Sequence, residues 1–339
     1  MNNRSAGPRS FNTLQRSNRH ARLKRLQEAR ILLLTICALT LVLAMTGLVF
    51  LFCQIGHNVS TGGGGGKSGK VSYGTLEVMP TDEEASVSLY RGNLILVNEQ
   101  HSYHYPETRI EDLTDNEKNA YSLMTYRTML GSNYPYYVLP NEKNYYMIPE
   151  AAKAMGDLLT YHYNQTEEPL LVRAGYLKES TVSNGNYDQL TGLSASIDND
   201  MSVALKSDTC LKLISEGAKF GFIQRYPSGK SSVTGATGST NVFRYVGVPH
   251  AGYITGQNLT LESYISLLRE SYTYSGSHLL LDASGNAVSA KDAVYEVYYV
   301  AETGESRMQV PVPKNYHYTI SGDNVGGFIV TVNLKSPVA

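Results

Sequence analysis

Ile31 to Phe52 is a run of 22 residues without a charged side chain. As a helix it would be about 33 Å long, enough to cross the hydrocarbon core of a bilayer. Before it stand Arg4, Arg9, Arg16, Arg19, Arg22, Lys24, Arg25 and Arg30 against Glu28 alone, a net +7. The whole chain carries −1, so everything after residue 30 carries −8. Positive flanks stay on the cytoplasmic side, which places residues 1–30 inside and all that follows Phe52 outside. A cleaved signal peptide would have a shorter apolar run and a small-x-small site after it. A lipoprotein signal would have a small residue before its cysteine, whereas Cys53 follows Phe52. The expectation is an uncleaved, single-pass anchor in a plasma membrane. The basic arm is accounted for by this topology and calls for no nucleic acid.

Past the span, composition indicates a folded domain, because 17% charged and 42% hydrophobic residues are enough to build a core. Thr61 to Lys70 looks like a phosphate loop, but the first required glycine falls on Thr61 and no strand precedes it. It reads as a flexible linker. Cys37 and Cys53 lie in or beside the span, leaving Cys210 with no partner for an internal disulfide; it reads as a small buried side chain. The division expected is a basic arm at 1–30, a span at 31–52, a Gly-rich linker at 53–84, a main domain at 85–271 and a β-rich extension at 272–339.

Within the outer chain, Val87 to Val97 reads as strand, turn, strand, with Leu94-Ile95-Leu96-Val97 as a buried run. Thr114 to Leu130 has helical spacing and a capping box from Thr114 to Glu117. Pro149 to Tyr163 is a second helix, Ser202 to Lys219 a third and Thr260 to Ser271 a fourth, with a strand at Glu168 to Val172. After Leu279 the chain is mostly β: Val294 to Val300, then Met308 to Pro313, whose prolines suit an edge strand, then the alternating Gly327 to Leu334. The fold class is α+β, a small antiparallel sheet with packed helices.

Phe220 to Gly247 carries the densest signal. Phe222, Tyr226, Phe243 and Tyr245 suit two pleated strands, Pro227 and Gly229 end the first, and Ser231 to Thr240 is a polar loop of the kind that lines clefts. Phe220-Gly221-Phe222, Arg225-Tyr226-Pro227, Gly229-Lys230, Thr234-Gly235 and Arg244-Tyr245-Val246-Gly247 together resemble the signature of VanY-type D-alanyl-D-alanine carboxypeptidases. These belong to the LAS group of zinc peptidases, which trim peptidoglycan stem peptides. Ala174-Gly175-Tyr176, Thr191-Gly192-Leu193 and Leu261-Glu262-Ser263-Tyr264 extend the resemblance over roughly Leu171 to Leu268. It implies that fold, zinc as cofactor and a bacterial envelope.

The chemistry does not follow the framework. With Thr191-Gly192-Leu193 fixing the family's H-x-x-G-x-x-x-D, the His ligand falls on Gln189 and the Asp ligand on Ser196. With Arg244 to Gly247 fixing E-P-W-H-x-R-Y-V-G, the general-base Glu falls on Ser239, the Trp on Asn241 and the second His ligand on Val242. The substrate-gripping Arg falls on Leu177. Asp188 and Asp198 are near but out of register, and a one-residue slip in a strand turns a side chain to the other face. His250 is the histidine nearest the cleft loop in sequence; His101, His104, His162, His278 and His317 show no metal-site pattern. Ser196, Ser239 and Lys230 lack the neighbouring base that a serine nucleophile needs.

The expected cleft lining is Tyr176, Asp188, Asp198, Arg225, Asn241, Arg244 and His250. The expectation is a non-catalytic relative without cofactor that binds stem peptide or an envelope protein. The rivals are an active carboxypeptidase with a relocated metal site and a scaffold acting through its β-rich tail. Protease added to intact cells should remove epitopes placed after Gly62 and spare those placed before Arg30; protection of the C-terminal region would overturn the topology.

Overall fold

The computed structural model describes residues 71–104, 136–138, 146–178, 185–236 and 240–338. The expected span, the linker, the helix at 114–130 and Ser239 lie outside them. Among the described residues no helix is long and apolar enough to cross a membrane.

The first helix, α1 (Pro149–Thr166), has Pro149 in its first turn, where a missing N–H is harmless. Glu167, at φ 57°, closes it and donates its N–H to the Tyr163 carbonyl at 2.7 Å. Ala152, Met155, Leu159 and His162 lie on its buried face. They cover a five-stranded sheet of order β2 (Tyr136–Val138), β3 (Leu170–Ala174), β4 (Ser194–Asp198), β6 (Val242–Tyr245) and β5 (Phe222–Gln224). β2 runs parallel to β3 and the other pairs are antiparallel, so the sheet is mixed and not the antiparallel one expected. Phe222 stands opposite Tyr245, with ring centroids 5.4 Å apart.

Two sequence expectations shift for local reasons. The next helix, α2, is Ser207–Gly217 and does not begin at Ser202. Asp200 accepts the N–H groups of Ser202 and Val203, and Asn199 accepts that of Lys206, so side chains hold this stretch as a turn. Leu94 to Val97 is buried as expected but belongs to no strand. Its polar groups are met by Ser321 and Asn324 side chains, the Asp323 carbonyl and two arginines, not by a ladder. A buried extended segment satisfied in this way has the composition of a strand without strand neighbours.

Downstream come a single turn α3 (Ser231–Thr234), α4 (Val248–Gly256) and α5 (Leu261–Ser271). Thr260 caps α5 by accepting the Ser263 N–H. A second, antiparallel sheet has the order β10 (Tyr316–Gly322), β11 (Gly327–Pro337), β8 (Tyr295–Ala301) and β7 (Leu279–Leu281). Both its faces are covered. Val297, Tyr299 and Ile329 pack against α4 and α5, while Tyr298, Phe328, Val330 and Val332 pack against β1 (Tyr73–Val78) and β9 (Met308–Pro313). Hence Gly327 to Val332 is buried residue after residue despite its alternating sequence. β9 pairs only with β1, so its prolines cost no central ladder. Residues 68–339 cluster as one compact unit.

Phe222 is fully buried among α1, α2 and sheet residues. Phe222→Ala should cost about 3–5 kcal/mol in denaturant unfolding; a negligible loss would show that this strand does not anchor the core.

Candidate functional site

β4 divides the polar interior from the apolar one. Leu193, Ala195 and Ile197 enter the core under α1, and the alternate residues Ser194, Ser196 and Asp198 face the other way. Each of these three heads a separate polar group.

Ser194 belongs to a buried ion cluster. Asp188 sits in a 3₁₀ turn (Tyr187–Thr191) and is fully buried. Its Oδ1 accepts from Arg225 Nε at 3.0 Å and Arg244 Nη1 at 2.5 Å, and its Oδ2 accepts from the Ser194 hydroxyl. Arg225 also donates to Glu262 Oε1 at 2.8 Å and to the Val97 carbonyl, and lies over the Tyr226 ring. Arg244 donates to the carbonyls of Asn93, Ile95 and Tyr245. Burial alone would raise the Asp188 pKa, but Arg244 and Arg225 outweigh it and hold the carboxyl below its ordinary 3.8.

Ser196 heads the group in which the motif register is expected to put metal ligands. It stands opposite Val242 across the β4–β6 ladder. Gln189 Nε2 donates to Ser196 Oγ at 3.1 Å and to the Ala174 and Gly175 carbonyls at 3.2 and 3.1 Å. The Leu177 N–H donates to the Gln189 carbonyl at 3.1 Å. Val242 packs with Tyr226 and Ala236 in a small apolar cluster. Gln189 is thus bonded to Ser196 and to the Leu177 N–H, and Ser196 stands opposite Val242. Their chemistry does not suit zinc: the Gln189 nitrogen is committed to three acceptors, Val242 has no donor atom, and a lone hydroxyl is a weak ligand. Among the described residues no group of three or more His, Cys, Asp or Glu is arranged to hold a metal ion.

Asp198 heads the third group. It accepts from Asn241 Nδ2 at 3.0 Å and from Arg173 Nε, and Arg173 Nη2 reaches the Met201 carbonyl at 3.2 Å. Arg173 is the exposed member of the pair.

Several residues expected to line a cleft do not. Asp188, Arg225 and Arg244 are wholly buried, because two guanidinium groups in the interior need a carboxylate more than the cleft does. Tyr176 is also buried. His250 lies against the second sheet, between the Tyr264 hydroxyl at 2.8 Å and the Thr331 hydroxyl at 3.0 Å; burial lowers its pKa to about 4. The sequence reading missed Arg173 and Glu262. Glu262 was visible in the matched Leu261-Glu262-Ser263-Tyr264 segment, and two framework arginines beside one aspartate already called for a second acid.

The mixed sheet and its covering helix form a fold shared with a solved D,D-dipeptidase. No family model matches the chain. A D-alanyl-D-alanine carboxypeptidase of Enterococcus faecium is 27% identical over 279 residues, covering 77% of this chain and 80% of the relative. The similarity therefore reaches well beyond Leu171 to Leu268. The bifunctional D-Ala-D-Ala dipeptidase and carboxypeptidase VanXYC of Enterococcus gallinarum is 47% identical over 51 residues, 15% of this chain and 27% of its own length. The crystal structure of the vancomycin-resistance D,D-dipeptidase VanXYg superposes with a TM-score of 0.57 at 22% identity, covering 77% of this chain and 99% of that one. By sequence the chain is similar to D-alanyl-D-alanine carboxypeptidases, and its fold is that of the VanXYg D,D-dipeptidase.

The depressed Asp188 pKa fixes a sign. Its contribution to stability is present above pH 3.8 and is lost as pH falls through the lower folded value. Asp188→Asn should cost about 3–5 kcal/mol at pH 7, since it leaves buried Arg244 without its carboxylate, and should flatten the acid limb of the stability profile. An unchanged urea midpoint at pH 7 would show that the cluster does not hold the fold.

Proposed function

We propose that this chain is a membrane-anchored cell-envelope protein that keeps the D,D-carboxypeptidase fold for binding and not for hydrolysis, with the D-Ala-terminated peptidoglycan stem peptide as its ligand. The observation that carries the reading is the meeting of Gln189, Ser196 and Val242 at the matched metal position, tied by hydrogen bonds and apolar packing. Zinc activates water through imidazole and carboxylate ligands around an open position, and none of these three residues supplies one. The matched gripping position is Leu177 and the matched base position is Ser239. A general base is typically worth about 10²–10⁴ in rate, so a metal held elsewhere would still leave a poor hydrolase. The peptide ligand is supported by relatives named for D-Ala-D-Ala and by the VanXYg structure, which holds a D-Ala-D-Ala phosphinate analog. The uncharged run at Ile31 to Phe52 and its basic flank support an anchor that places this domain outside the cell.

The purified full chain should contain no stoichiometric zinc by elemental analysis, release no D-Ala from a pentapeptide ending in D-Ala-D-Ala, and still bind that peptide in calorimetry. Gln189→His, Ser196→Asp and Val242→His combined should raise zinc uptake before they raise activity. Stoichiometric zinc with chelator-sensitive D-Ala release from the unmodified protein would overturn the non-catalytic reading. Absence of peptide binding would overturn the choice of ligand.

A further inference from the structure

His278, in the connection between α5 and β7, is held in a way that fixes its charge. Its Nδ1 faces Glu296 Oε1, and its Nε2 lies 3.0 Å from the Tyr274 carbonyl oxygen. Both partners accept. A neutral imidazole has a single N–H and could serve only one of them, so both bonds form together only in the imidazolium. The ring is stacked against Tyr298 at 4.8 Å and Tyr274 at 6.0 Å between centroids, within cation–π reach of both. His250 is the counter-example in the same unit, because two hydroxyls can each donate or accept and they suit a neutral ring.

The same Glu296 oxygen receives a third element. The Tyr73 hydroxyl donates to Oε1 at 2.8 Å from the first residue of β1, and its ring meets Tyr274 edge-on at 5.2 Å. Among the described residues β1 is paired with β9 alone. The Arg307–Glu77 ion pair at its far end is exposed and worth little. Around Tyr73 the strand is held by the Ser72 N–H on Asn315 and by this cluster.

We propose that the protonated His278 and Glu296 form a clasp on Tyr73 that holds β1 against the second sheet, and that loss of the ring proton loosens the strand. The ionisable groups facing the ring are Glu296 and Tyr298 from β8, Tyr73 from β1 and Tyr274 from its own connection, with Tyr318 beyond Tyr298. Burial and then the Glu296 carboxylate hold Tyr73 and Tyr298 well above the ordinary tyrosine range, so they remain hydroxyls throughout. For His278, burial works against the proton, but the bonds to Glu296 and to the Tyr274 carbonyl outweigh it and raise the pKa above 6.5. The clasp is complete below 6.5 and is lost as pH rises through the raised value.

Two measurements on the full chain test this. In histidine-labelled protein, ring ¹⁵N shifts should show His278 as an imidazolium at pH 6, losing its proton above 6.5. Hydrogen exchange across 73–78, corrected for intrinsic rates, should be roughly tenfold faster at pH 9 than at pH 6. His278→Gln should exchange fast at both pH values. Tyr73→Phe should loosen the strand at both pH values while His278 still titrates. A neutral ring at pH 6, or β1 protection that does not change with pH, overturns the proposal. If His278→Gln fails to fold, the ring shifts and the exchange of the unmodified protein decide together.

Discussion

Two arginines cannot sit in a protein interior without a carboxylate between them, and the first sheet is arranged around that requirement. Arg225 and Arg244 come from adjacent strands and share one oxygen of Asp188. Their remaining N–H groups reach Glu262 on α5, the Tyr245 carbonyl and the carbonyls of Asn93, Ile95 and Val97. One cluster therefore joins the 3₁₀ turn, two strands, a helix and an extended segment that has no ladder of its own. Taking Asp188 away would leave buried positive charge without its counter-charge.

The Arg-Tyr-Pro and Arg-Tyr-Val-Gly segments supply the arginines of this cluster, whose contacts are with buried atoms. One pleat along β4, Ser196 accepts from Gln189 and stands opposite Val242, which packs with Tyr226 and Ala236. The ion cluster and the Gln189–Ser196 pair occupy neighbouring positions on one face of one strand, yet they answer to different physical demands. The first is set by burial of charge and the second by pairing of neutral polar groups.

His250 and His278 show how their partners decide the protonation state. His250 lies between hydroxyls and needs no charge; His278 lies between a carboxylate and a carbonyl and needs both protons. Both join separate parts of the chain to the second sheet. The β-rich tail is part of the same compact unit as the upstream helices, with Val297, Tyr299 and Ile329 packed on one face by α4 and α5.

Much of this was legible in the residue order. Pro149, Thr260 and the aromatic pattern around Phe222 and Phe243 mark their elements because capping, proline geometry and strand preference act within a few residues. The motif register drew attention to Gln189, Ser196 and Val242, and the structure bonds the first two and pairs the last two across a ladder. Residue order did not reveal that Asp188, Arg225 and Arg244 would be an interior cluster and not a cleft wall. Nor did it show that Leu94 to Val97 would be satisfied by side chains, or that Gly327 to Val332 would be covered on both faces. Partners for those groups come from residues tens to hundreds of positions away. Which atom meets which buried charge is fixed only when the sheets and helices pack, because desolvation depends on everything that surrounds a group and not on its neighbours in the chain.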